Sequence, residues 1–224
     1  MILRRTRPED AAALAALSAP YVRDTAITFE TDPPDGATMT PRIADVLGQH
    51  LPWVVAEKTD GGIAGYAYAG PFHARHAYRF TVEPTIYLAR DAIGRGLGTR
   101  LYHLLLQILA ELGCRQAVAL IALPNPASVA LHRRCGFRQT GTHNAVGWKF
   151  NTWVDVGLFQ RALGDRDTGL PRKGVKRCRR AGVGRLCREP SIRTERTSFR
   201  MPPTHHALRR AAPETKRRPQ LCPC

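Results

Sequence analysis

The chain has little cysteine, few acidic residues and no long apolar run. It holds six cysteines in 224 residues, and only Cys114 and Cys135 fall before residue 164. That is too thin for a disulfide scaffold and points to reduced thiols in a cytoplasmic protein. No apolar stretch approaches the ~20 residues of a membrane helix, so no span is expected. Residues 1–10 carry Arg4, Arg5 and Arg7, turn acidic at Glu9 and lack an apolar stretch before a small-residue cleavage site. A secretory signal is therefore not expected.

The shortage of acid is local. Against 34 Lys and Arg there are 18 Asp and Glu, a net charge of +16, but residues 1–163 carry only +4 of it and residues 164–224 carry +12. The last segment is rich in Arg, Pro and Gly and has one aromatic, Phe199. It shows no sustained apolar period and cannot bury enough surface to offset its ordering entropy, so it reads as a disordered basic tail. Its fourteen Arg and three Lys offer a route to nucleic-acid phosphates, although stacking aromatics are nearly absent. Cys178, Cys187, Cys222 and Cys224, with His205 and His206, contain no C-x2-C or C-x4-C pair, so no metal site is expected.

Residues 1–163 read as one folded unit of strands and helices. Ile2 to Thr6 opens as a strand. Pro8, Glu9 and Asp10 suit a helix N-terminus, and the Ala- and Leu-rich run to Val22 continues it. Residues 24–36 form a loop that carries Phe29, and a second helix runs from Thr38 to about His50. Trp53–Ala56 and Ile63–Gly70 flank the turn Thr59-Asp60-Gly61-Gly62 and make a hairpin. Thr81 to Ala89 is a further strand, and Pro84 within it marks an edge, a bulge or a splayed position. Leucines at 97, 101, 104, 105, 109 and 112 trace a helix that Gly113 stops. Ala117–Leu123 is a buried strand, and Asn125 caps a helix through Arg134 that begins at Pro126. Two strand-like stretches remain, near 137–142 and 147–160.

Two places carry chemistry. Gly94-Arg95-Gly96-Leu97-Gly98 lies between a strand and the long helix, so backbone N–H groups and the positive helix end converge there, which suits a pyrophosphate. A glycine turn of this kind is as often purely structural, and its spacing matches neither the dinucleotide fingerprint nor a P-loop. The second is the Asn-capped helix with His132, ending in Cys135-Gly136-Phe137.

The order strand, glycine turn, helix, strand, Asn-capped helix, Gly-Phe resembles the acetyl-CoA-binding core of the GNAT acetyltransferases. Tyr66–Phe72, Arg75, Ala77-Tyr78, Thr81-Val82-Glu83, Ile86-Tyr87-Leu88, Gly96-Leu97-Gly98, Ala119–Asn125, Trp148-Lys149 and Trp153–Val156 narrow the resemblance to the phosphinothricin N-acetyltransferase family, from about residue 2 to residue 163. The tail has no counterpart there, which leaves an accidental extension of the reading frame as one account of it.

The resemblance implies an α+β (α/β) fold with a mixed, twisted central sheet flanked by helices, acetyl-CoA as cosubstrate, no metal, a small-molecule amine acceptor and a homodimer. It implies that Glu83 acts as base, with a solvent-facing or ion-paired strand residue as the plainer reading. It implies a catalytic part for His132, as acid to the departing thiolate or sharing base duty. The backbone of Ile86, Tyr87 and Leu88 would hold the pantetheine arm, and Ile93, Gly94, Arg95, Gly96, Leu97 and Gly98 the pyrophosphate, with Asn125 touching the arm. Phe29 and Tyr78 would wall the acceptor, and Arg75 would bind its carboxylate unless it serves a surface ion pair. Three positions depart from the pattern. Ile93 stands where the superfamily prefers Gln or Arg, and His73 and Arg79 stand where close members have lysine and an acidic residue.

Overall fold

The computed structural model describes residues 1–164. The readings made for the tail lie outside the described residues.

Element order is β1 (Ile2–Arg5), α1 (Ala11–Asp24), α2 (Gly36–Gly48), β2 (Trp53–Glu57), β3 (Ile63–Pro71), β4 (Thr81–Leu88), α3 (Leu97–Glu111), β5 (Gln116–Leu123), α4 (Pro126–Arg134), β6 (Arg138–Lys149) and β7 (Thr152–Ala162), with single 3-10 turns at Pro8–Asp10, His76–Tyr78 and Arg90–Ala92. The seven strands form one sheet in the order β1-β2-β3-β4-β5-β7-β6. All neighbours are antiparallel except β4 and β5, which run parallel.

Strand alternation sends side chains to both faces of this sheet, and both are covered. In β2, Val54 and Ala56 join Leu101, Tyr102, Leu105 and Leu109 of α3 in one core, together with Ala67, Val82, Ala117 and Phe159. Trp53 and Val55 point the other way and pack with Leu14 of α1, Met39 and Ile43 of α2, and Tyr66. The leucine period of α3 is thus its buried stripe, each such side chain contributing roughly 1.5–3 kcal/mol on burial.

Caps follow the sequence. The Asp35 side chain accepts from Thr38 N–H at 2.7 Å, and Asn125 Oδ1 accepts from Ser128 N–H at 3.1 Å. The stretch expected at 147–160 is instead divided. Phe150 (φ 51°) and Asn151 (φ 57°) both take the left-handed conformation and make a tight turn between β6 and β7. Two consecutive positive φ values are the mark of a type I′ hairpin turn. No glycine announces it.

The parallel pair sets up the site. β4 and β5 are hydrogen-bonded only at Thr81↔Gln116 and Val82↔Ala117. Pro84 follows at once and has no N–H to donate. Beyond it the strands part, so Pro84 occupies a splayed position while the other edge of β4 stays paired to β3 through Leu88.

Candidate active site

The parting of β4 and β5 opens a cleft of about 420 Å³. Ile86, Tyr87 and Leu88 line one wall, Ala119, Leu120 and Ile121 of β5 the other. Ile93, Gly94, Gly96 and Gly98 close one end, and Asn125 and His132 face in from α4. Separate stretches of sequence thus meet in one place.

The glycine turn has the conformation such a site needs. Gly94 (φ 80°) and Gly96 (φ 75°) are both left-handed, and Gly96 is the N-cap of α3. The first helical backbone bond at this end is Arg100 N–H to Gly96 O, at 3.2 Å. The N–H groups of residues 97–99 therefore have no partner inside the helix and present donors, with the helix dipole behind them. The Leu97 side chain belongs to the core rather than the cleft, and Arg95 is exposed outside the lining. Ile93 is 49% exposed at the rim.

His132 is 4% exposed, and both its ring nitrogens are engaged. Nδ1 lies 2.8 Å from Ser128 O, which can only accept, so Nδ1 carries the proton and donates it. Nε2 then accepts from the Tyr102 hydroxyl at 2.9 Å. Burial lowers the His132 pKa, opposed by the Ser128 bond, and burial pushes the Tyr102 hydroxyl well up. Both shifts favour a neutral pair.

Tyr102 was not singled out from the sequence. It stands in the leucine stripe of α3, where an aromatic reads as core, and only its hydroxyl distinguishes it. That hydroxyl also lies 3.4 Å from Pro84 O, at the place where the strands part.

Glu83 immediately precedes this point. It is half-buried and paired with Gly70 in the β3–β4 register. Burial raises its pKa, with the nearby His73 opposing. Its charge also acts on Tyr102 and Tyr68.

The acceptor candidates do not line the cleft itself and stand in two places. Tyr78 packs with Phe72 and His73 on the segment before β4, and Arg75 is exposed at the start of the 3-10 turn there. Phe29 lies over Gly147 of β6. Arg79 stacks on Phe80 at 4.3 Å. Among the described residues, no cluster of three His, Cys, Asp or Glu is placed to hold a metal ion.

Known proteins share this fold. The acetyltransferase (GNAT) domain family matches residues 3–158. A phosphinothricin N-acetyltransferase of Alcaligenes faecalis is 44% identical over 170 residues, covering 75% of this chain and 86% of that one. The chain belongs to the phosphinothricin N-acetyltransferase family of GNAT enzymes.

Within that family, an L-methionine sulfoximine/L-methionine sulfone acetyltransferase of Pseudomonas aeruginosa is 37% identical over 115 residues, 51% of this chain and 67% of that one. The crystal structure of a GNAT superfamily phosphinothricin acetyltransferase from Sinorhizobium meliloti, in complex with AcCoA, superposes with a TM-score of 0.74 at 38% identity. It covers 78% of this chain and 95% of that chain. Family membership makes this chain an acetyltransferase and bears out the mixed, helix-flanked sheet expected from its sequence. No helix among the described residues is long and apolar enough to cross a membrane.

Proposed function

We propose that the enzyme moves the acetyl group of acetyl-CoA to the α-amino group of a small amino acid or analogue, of the phosphinothricin or methionine sulfoximine type. The observation that carries this reading is the cleft where β4 and β5 part, with helix-end donors at one end and Glu83 beside the point of parting. The residues fit the cofactor. A pyrophosphate needs converging donors, which the 94–99 segment supplies; an extended amide-bearing arm needs an open strand edge, which β4 supplies beyond Pro84. Residues 86–88 and Asn125 would hold that arm. Bound there, acetyl-CoA supplies an activated acyl group on a good leaving thiolate.

The chain's own residues then have two protons to move. The acceptor amine must lose one before it attacks, and the sulfur must gain one as it leaves. We assign the first to Glu83, directly or through water, because its raised pKa brings it closer to neutrality than a free carboxylate. We propose that His132, which lines the cleft, serves these proton movements, with Tyr102 holding its ring from the core side. A free imidazolium is disfavoured, since Nδ1–H is held by Ser128 O and burial opposes a second proton. Arg75 is the proposed carboxylate partner, and Phe29 and Tyr78 the proposed acceptor walls.

Three wider assignments belong to the same reading. Residues 1–163 are the catalytic unit and 164–224 an appendage that chemistry does not need. The enzyme works as a homodimer in the cytoplasm; the exposed Val146, Trp148, Phe150 and Trp153 of the β6–β7 hairpin support a covered surface there. Buried, unpaired Cys114 and Cys135 accord with a reducing compartment.

The test is thiol release from acetyl-CoA by the purified chain across a panel of amino acids and analogues. Release that depends on phosphinothricin or methionine sulfoximine supports the reading, and release from none of the panel sinks it. Truncation after residue 163 should leave the rate unchanged while removing any salt-sensitive nucleic-acid binding. Sedimentation of the truncated chain should report a dimer.

A further inference from the structure

Lys149 sits in the last position of β6 and is 6% exposed. Its ammonium donates to three backbone carbonyls: Val22 O at 2.7 Å, Thr28 O at 2.9 Å and Glu30 O at 2.7 Å. An ammonium has three donors, and all are used. Val22 is in the last turn of α1, where carbonyls lack helical partners and a cation meets the negative helix end. Burial pulls the ammonium below the usual lysine range, and the Glu30 carboxylate opposes that pull.

Two residues earlier on β6, Gly147 admits the ring of Phe29. A Cβ at residue 147 would overlap that ring. β6 therefore grips the segment between α1 and α2 twice, once through backbone carbonyls and once through an aromatic side chain.

That segment reaches the site. Ile27 lines the cleft where β4 and β5 part. The Thr28 side chain stands near the Tyr87 hydroxyl and opposes the rise that burial gives its pKa. Glu30 lines a second cavity of about 260 Å³ together with Tyr68, Tyr87 and Arg42. Arg42 in turn bonds Glu30 Oε1 at 2.8 Å. Ile27 and Glu30 thus stand with Tyr87 of β4 in the two cavities, and Phe29 between them lies over Gly147 of β6.

We propose that Lys149 is a positioning residue for the acceptor side of the active site. It staples residues 25–35 to β6 and so sets where Ile27 stands in the cleft, Thr28 beside Tyr87 and Phe29 over Gly147. It touches no reacting group; it acts through the loop. This rests on the reading of the cleft as the acetyl-transfer site.

The test compares wild type with Lys149→Met, using the full chain, phosphinothricin as acceptor and hydrogen exchange as a second readout. Amides of residues 25–35 should exchange faster while those of α3 and β5 keep their protection. kcat/KM for the acceptor should fall about 10–100-fold, mainly through KM, because a wall of the site is misplaced. KM for acetyl-CoA should rise less than the acceptor KM, since of this loop only Ile27 lines the acetyl-CoA cleft and the glycine turn is untouched. Unchanged acceptor KM with unchanged loop exchange overturns the proposal. So does a parallel rise of both KM values with exchange increased everywhere, which marks a general loss of structure. Should Lys149→Met fail to fold, Gly147→Ala, which evicts the Phe29 ring, decides by the same readouts. A wild type that acetylates no acceptor would sink the acetyl-transfer reading instead, and loop exchange alone would then support or overturn the staple.

Discussion

The Tyr102 hydroxyl lies 2.9 Å from His132 Nε2, behind the point where β4 and β5 part. With Nδ1 committed to Ser128 O, the histidine can only accept from that hydroxyl. The two side chains come from α3 and α4, and each fixes the state of the other: imidazole neutral, phenol protonated.

Tyr102→Phe leaves Nε2 buried without its donor, at a cost of about 1–3 kcal/mol. Chemical denaturation should show that loss with no change of m-value. Turnover should fall as well, while KM for acetyl-CoA stays near wild type. A variant with wild-type kcat would show that Tyr102 does not position His132 for the reaction.

A histidine kept neutral also makes stability depend on pH. The His132 pKa is lowered from its ordinary 6.5, so the unfolded chain binds that proton more readily. The stability due to neutral His132 is fully present above pH 6.5 and is lost as pH falls through the lowered folded value. Thermal melts of wild type and His132→Gln between pH 7.5 and about pH 5 should converge as the pH falls. A constant gap would contradict the assignment.

Ile93 offers a gain. It is 49% exposed at the rim beside the glycine turn, so a longer polar side chain fits at little cost to packing. Ile93→Arg should tighten acetyl-CoA binding by a few fold, the worth of one exposed charge interaction of about 0.2–1 kcal/mol. Titration calorimetry at low and high salt checks both the gain and its screening.

Much of this arrangement was legible in the sequence, and the exceptions have physical reasons. Pro8, Asn125 and the leucines of α3 announce their helices through capping and period, and Pro84 announced an edge, a bulge or a splayed position, of which the structure shows the last. The β6–β7 turn was hidden because Phe150 and Asn151 adopt positive φ without a glycine to signal it. Tyr102 was hidden in an apolar stripe where a ring is ordinary filling. Lys149 follows Trp148 and precedes Phe150, and a lysine in such a strand reads as solvent-facing; its three carbonyl partners lie more than a hundred residues away in sequence. Local pattern reports elements, but not which distant backbone a buried cation will find.

The central claim is that Glu83 is the base of an acetyl transfer. Burial raises its pKa above the ordinary 4.5, so its ionised form costs stability at neutral pH, and Glu83→Gln should leave the protein at least as stable. The deciding measurement is kcat/KM for phosphinothricin against pH, in wild type and in Glu83→Gln, by thiol release. Wild type should gain activity as pH rises through a value above 4.5, where the carboxylate forms, and Glu83→Gln should be slower by about 10²–10⁴-fold with that acid limb gone. A Glu83→Gln enzyme that turns over at the wild-type rate, with the same acid limb, would contradict the account.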